Sequence, residues 1–273
     1  MIDSRAKLNV LKVSNETANL TDLAADYLRD PFDFDLESSE FLYIGLYKPF
    51  GAAFVEMDVP AETETTASFE YYDGSNWQNL QVQDETRKFT RSGFLFWDKN
   101  KLEKNTIGGL DNYWIRARVE SQPLNVVMRG INILFTDTQR MKQEFFEIDN
   151  ANLLPNGQSS HIATLVATRN QIIDRLRRTG YQKQADGDAR PQMINAWDML
   201  DVFEIREAAT ALALSKIFLN LSSSQDDHWW SKYQTFTDRY NEMIRIAHLS
   251  VDKSDDSDDN QVQKRIQGFR WTR

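Results

Sequence analysis

Two hydrophobic periods divide this chain. Up to about residue 140, short apolar runs alternate with turn signals: residues 41–47, 52–59, 67–72, 77–82, 93–97, 113–119 and 124–135. Strands at this spacing predict an antiparallel β-sandwich or barrel. The segment Tyr71-Tyr72-Asp73-Gly74-Ser75-Asn76-Trp77 reads as a hairpin, with Asp-Gly supplying the positive φ angles of a tight turn. Within 113–119, Ile115, Ala117 and Val119 share one face, and Trp114, Arg116 and Arg118 the other. Pro49 and Pro60 close strands, because proline cannot donate to a ladder.

After residue 140 the period becomes helical. Ile162, Leu165, Val166, Ile172, Ile173 and Leu176 form one stripe, with Ser159 or Ser160 as N-cap and Gly180 as the stop. Residues 193–221 give a second pattern, through Trp197, Leu200, Ile205, Leu212, Ile217 and Leu221. A third, capped by Asp226 or Asp227, carries Trp229, Tyr233, Phe236, Tyr240, Met243, Ile244 and Ala247. A short break at 222–225 makes these last two antiparallel neighbours. Residues 142–148 read as a further helix or a linking strand. The fold class expected is α+β with two domains: an N-terminal antiparallel β-sandwich over 1–140, then an α-helical domain over 141–250. An acidic turn and a basic C-terminal arm occupy 251–273.

Composition narrows the function. Of 273 residues, 32 are basic and 41 acidic, for a net charge of −9. Residues 1–140 carry 15 basic and 22 acidic groups, so most of the acidity lies in the β half. A net acidic chain argues against a generic nucleic-acid coat. The absence of cysteine removes disulfide scaffolds, thiol catalysis and Cys-ligated zinc. No apolar stretch approaches the roughly 20 residues of a membrane span, and the first twelve residues have no signal-peptide core.

Candidate chemistry is sparse. His161, His228 and His248 sit at expected helix ends, and nothing resembles a nucleophile elbow. Aspartates 252, 255, 256, 258 and 259 invite a calcium loop. Counted from Asp252, however, the sixth position is Ser257 and the twelfth Gln263, so the required glycine and glutamate are missing. Arg175, Arg177 and Arg178 near a helix end suit a phosphate or an acidic partner, or simply the helix dipole. Tyr71, Tyr72, Trp77, Trp97, Tyr113 and Trp114 could stack on sugars or fill a core. No enzyme activity, cofactor or metal is expected.

Two stretches carry a resemblance. Leu42-Tyr43-Ile44-Gly45, Lys48-Pro49-Phe50, residues 71–77, Asp84-Glu85-Thr86, Thr90-Arg91-Ser92-Gly93 and Tyr113-Trp114-Ile115-Arg116-Ala117-Arg118 resemble, in order, a β-sandwich module of tailed-phage virion proteins. The second runs from about 200 to 273. Ile217-Phe218-Leu219-Asn220-Leu221, a Ser/Asp break, Asp227-His228-Trp229-Trp230-Ser231-Lys232-Tyr233, an aspartate-rich turn lacking the family's usual glycine, and a basic arm look like the helical part of phage head–tail connectors. The resemblance implies a structural neck protein joining portal to tail, in a homo-oligomeric ring of about twelve copies. Viral DNA would pass through without sequence-specific binding, and no membrane is involved. It assigns portal contacts to the arm, through Lys264, Arg265, Phe269, Arg270, Trp271 and Arg273. Ring contacts fall to Trp229, Trp230, Arg175 and Arg178. The alternative is a carbohydrate- or receptor-binding accessory or baseplate protein, led by the β half.

Overall fold

The computed structural model describes residues 8–14, 19–22, 32–120, 123–154, 160–183, 192–199, 201–224, 227–251 and 264–265. The chain is α+β. Among the described residues, two antiparallel sheets come first and four α-helices follow. It divides into two compact units, Met1–Ile133 and Leu134–Arg273.

The described strands of the first unit are β1 (Asn9–Ser14), β2 (Asn19–Asp22), β3 (Phe32–Leu36), β4 (Glu40–Leu46), β5 (Ala52–Val59), β6 (Ala67–Tyr72), β7 (Trp77–Asn79), β8 (Val82–Asp84), β9 (Gly93–Trp97), β10 (Lys104–Ile107), β11 (Leu110–Val119) and β12 (Leu124–Asn132). One sheet runs β2-β1-β4-β11-β6-β7, with β10 also on β11; the other runs β3-β12-β5-β9-β8. The run 77–82, expected as one strand, is two strands in different sheets. After β7 the Leu80 amide bonds the Phe69 carbonyl at 2.8 Å and its side chain is buried, and the chain then crosses to the other sheet. The run 124–135 ends as a strand at Asn132, with a register shift between Met128 and Gly130.

Four strands had no clear apolar signal: β1, β2, β3 and β10. Gly108 and Gly109, which as sequence mark only a loop, are the two-residue turn joining β10 to β11, with φ of +60° and +78°. The 71–77 hairpin forms, but not as a two-residue turn. Only Gly74 takes positive φ, while the Asp73 carboxylate accepts from the amides of Ser75 (2.9 Å) and Asn76 (2.7 Å).

The segments 84–86 and 90–93 organise a turn and the strand next to it. Asp84 accepts from the amides of Thr86 (2.7 Å) and Lys88 (2.8 Å), and Thr86 Oγ1 accepts from the Phe89 amide (3.0 Å). These bonds stabilise three successive left-handed residues, Arg87, Lys88 and Phe89, with φ of +51° to +67°. Ser92 Oγ accepts from the Met57 amide and donates to its carbonyl. Gly93 lies so close to Glu85 that a Cβ would fall 2.7 Å from its backbone.

In the second unit, α1 (Thr138–Glu144) and a short 3₁₀ turn, Phe146–Asp149, occupy the segment left open between helix and strand. Then come α2 (Ile162–Arg178), α3 (Phe203–Leu221) and α4 (His228–Ile246). The predicted stripe of α2 is buried at every position. Its N-cap is His161, one residue past the expected serine, and Gly180 ends it at φ +89°. The helix expected from 193 begins only at Phe203. Asn195 and Asp198 close a capping box around a 3₁₀ turn, and Met199 bridges to Val251. The α3 residues from Ala208 to Ser215 are all buried, so it is the central helix, with alanines that let its neighbours approach. Asp227 caps α4, accepting from the amides of Trp229 and Trp230. Two-residue ladders pair β13 (Gln182–Lys183) with β14 (Gln192–Met193), and β15 (His248–Leu249) with β16 (Lys264–Arg265).

Candidate functional site

The helical unit opens a groove of about 710 Å3 between α2, α3 and α4. Ala167, Leu212, Leu219, Tyr233 and Tyr240 supply its apolar lining. Along α2, Gln171, Arg175 and Arg178 follow at spacings of four and three, so they share one face of the helix. From α3 comes Lys216, the one charged residue in the run Ala-Leu-Ala-Leu-Ser-Lys-Ile-Phe, 211–218.

Arg175 is held in place. Its guanidinium donates to Asn241 Oδ1 (2.9 Å) and lies over the Tyr240 ring, 4.9 Å from the centroid. Lys216 is half-buried, and burial pushes its ammonium below the ordinary lysine value. Among the described residues neither Lys216 nor Arg178 has a carboxylate within 4 Å. Among the described residues the acidic group lining the groove is Asp174, which pairs with Arg177 at 3.1 Å. Tyr240 Oη and Thr237 Oγ1 are buried without a well-formed hydrogen bond. Burial pushes the Tyr240 phenol up, against the pull of Arg175. The arrangement offers fixed positive charge over an apolar floor. It can hold an anion or an acidic segment, but it brings together no nucleophile, base and orienting group.

The sequence-predicted residues separate. Arg175 and Arg178 both line the groove. Arg177, named beside them, turns away to clamp the Ile194 carbonyl (2.8 Å) and Asn195 Oδ1 (2.7 Å). Trp229 stacks on Phe218, with centroids 5.7 Å apart, and Trp230 packs against Tyr233 at the groove's edge. Lys264 and Arg265 form the strand that pairs back onto β15, while Phe269, Arg270, Trp271 and Arg273 lie outside the described residues, as do the aspartates from 252 to 259. Lys216, Asn241 and Tyr240 were not anticipated as site residues. The signal available was a lysine inside an otherwise apolar and alanine-rich helical run.

His161 is a core residue. Its Nε2 donates to the Ile148 carbonyl (3.0 Å), Nδ1 is buried without a partner, and burial lowers its pKa. His228 opens α4, and His248 belongs to β15 rather than ending that helix.

The aromatics considered for sugar stacking are largely occupied. Trp114 is fully buried, donates to the Asn105 carbonyl (2.9 Å) and lies across Gly45, where a Cβ would meet its ring at 2.2 Å. Trp97 is buried against Phe50. The Arg116 guanidinium covers both Trp77 (4.3 Å) and Phe41 (4.2 Å), anchored by Glu70 at 2.6 Å.

Among the described residues no three His, Cys, Asp or Glu side chains converge as a metal site, and no helix is long and apolar enough to cross a membrane. The chain matches no protein-family model and no curated protein.

Proposed function

We propose that this chain is a structural adaptor of a tailed-phage virion: a head–tail connector in the neck, joining portal to tail around the DNA passage and assembled as a homo-oligomeric ring. The observation that carries the reading is the helical groove, whose cations lack counter-ions within the described chain. Such a surface is completed by a partner, and a partner on a different face of an identical copy generates rings. The two ordered sequence resemblances supply the virion setting. The β half is read as a jelly-roll-like sandwich. Its support is that successive strands pass from one sheet to the other, at β3 to β4, β4 to β5, β5 to β6, β7 to β8, β9 to β10 and β11 to β12. The motif residues of that half lie in strands β4 and β11, cap a turn at Asp84 and tie Ser92 to Met57, which suits a framework module. A net charge of −9 suits a conduit through which DNA slides without being gripped.

The test is co-expression with the portal protein encoded in the same genome, followed by a pull-down at physiological salt. The full chain copurifies with portal, and truncation after Asn260 weakens capture because it removes the basic, aromatic arm. A full-length chain that leaves portal uncaptured overturns the reading.

A further inference from the structure

We infer that the groove between α2, α3 and α4 is the socket for the aspartate-rich segment, residues 252–259, of a second copy of this chain. The inference rests on the oligomeric-adaptor reading and names the contact that closes the ring.

Charge and shape both point to that occupant. The groove presents Arg175, Arg178 and Lys216 around an apolar floor. Burial disfavours the Lys216 ammonium with nothing within the described chain to offset it. A carboxylate placed there relieves that cost, and Arg175, already oriented by Asn241 and Tyr240, accepts one with little loss of side-chain entropy. From Ala167 to Arg178 the groove follows three turns of α2, or roughly 16 Å at 1.5 Å per residue. That is the span of an extended peptide of about five residues.

The chain carries one run with the opposite charge at high density: Asp252, Asp255, Asp256, Asp258 and Asp259, with Lys253 as its only cation. The run has fixed ends. On one side Ser250 Oγ donates to Glu204 (2.7 Å) and Val251 bridges to Met199. On the other, Lys264 pairs with Leu249 across the β15–β16 ladder. Residues 252–263 join these two neighbouring anchor points in the sequence, with aspartates 255, 256 and 258 near the centre of that stretch. Six residues of chain, half of that twelve-residue stretch, are long enough to span about 20 Å when extended at about 3.3 Å per residue. Basic groove and acidic run lie at different positions on the same chain. The contact is therefore heterologous and leaves a free groove and a free run until the ring closes.

A charge exchange tests this on the full chain. One variant carries Arg175→Glu, Arg178→Glu and Lys216→Glu. The other carries Asp255→Lys, Asp256→Lys, Asp258→Lys and Asp259→Lys. Light scattering after size-exclusion chromatography reads assembly, and circular dichroism checks folding. Each variant alone falls to the monomer mass, and an equimolar mixture recovers the wild-type mass. Recovery requires contact between copies, so a run that docks on its own groove fails this test. If the triple glutamate variant does not fold, Arg178→Ser with Lys216→Met replaces it. That neutral pair must lower assembly at 0.15 M salt and remove most of its salt dependence. Either variant assembling like wild type, or a mixture that stays monomeric, overturns the socket. Portal capture is scored separately: a wild-type ring that fails to bind portal sinks the adaptor reading and leaves the socket standing.

Discussion

The two units treat their charged side chains in opposite ways. In the β unit the prominent cations are satisfied internally: Lys12 between Asp35 and Glu40, Arg129 on Asp58, and Arg116 between two aromatic rings on Glu70. Hydrogen bonds to Glu40 and Asp35 raise the Lys12 pKa in spite of its partial burial. The helical unit has such pairs too. Asp137 meets Arg206 at 2.9 Å, and Arg239 bridges Glu144 (3.1 Å) and Glu207 (3.6 Å). Beside them, among the described residues, Lys216 and Arg178 have no carboxylate partner in the groove. Cations paired in this way are part of the unit's own folding. A unit with a half-buried, uncompensated cation keeps it against its own stability, and the natural account is that something else completes it.

Substitutions can break or sharpen this contrast. The largest effect is expected at Trp114→Ala in the β unit, about 3–5 kcal/mol, because the fully buried ring fills the space over Gly45. Urea unfolding followed by fluorescence checks it. In the helical unit, Asp137→Ala removes both the α1 cap and the partner of Arg206, and a loss of about 3 kcal/mol is expected. Next is Gly45→Ala, which forces a methyl against the Trp114 ring and costs about 1–3 kcal/mol.

A smaller effect is a pH dependence set by His161. Its folded pKa lies below the unfolded value of about 6.5. The unfolded chain therefore binds the extra proton first, and stability falls as pH drops below about 6.5. His161→Gln, compared with wild type in thermal melts from pH 7.5 to 5, flattens that part of the profile. The smallest effect on stability is expected from Lys216→Met. It removes a charge that burial disfavours, so the melting temperature holds or rises slightly while assembly weakens. A clear drop in melting temperature would make Lys216 a structural residue and erase the contrast.

Much of this was readable in the sequence, because burial follows periodicity. The α2 stripe and the strands 52–59, 67–72 and 93–97 occur where the pattern put them. β1 and β10 escaped because Asn9, Lys12, Lys104 and Asn105 mask the alternation. β1 places Leu11 and Val13 against Tyr43 and Trp114, on the face of β11 that Arg116 and Arg118 had marked as polar. The start of α3 was misplaced because Trp197 continues a helical spacing that the Asn195–Asp198 capping box interrupts. Of the groove, Arg175 and Arg178 were visible as a basic helix end. Lys216 was not, since its meaning depends on which of its neighbours bring carboxylates, and that is settled only in three dimensions.

The central claim is that the helical unit's open groove makes this chain self-associate head to tail. The most direct test is the native mass of the purified full chain, measured by native mass spectrometry over a range of concentrations near physiological ionic strength. The account predicts a single closed oligomer of more than two copies, of about twelve if the connector resemblance holds, with no larger open species once closure is reached. A chain that stays monomeric, or stops at a two-fold dimer in which identical faces meet, would contradict it.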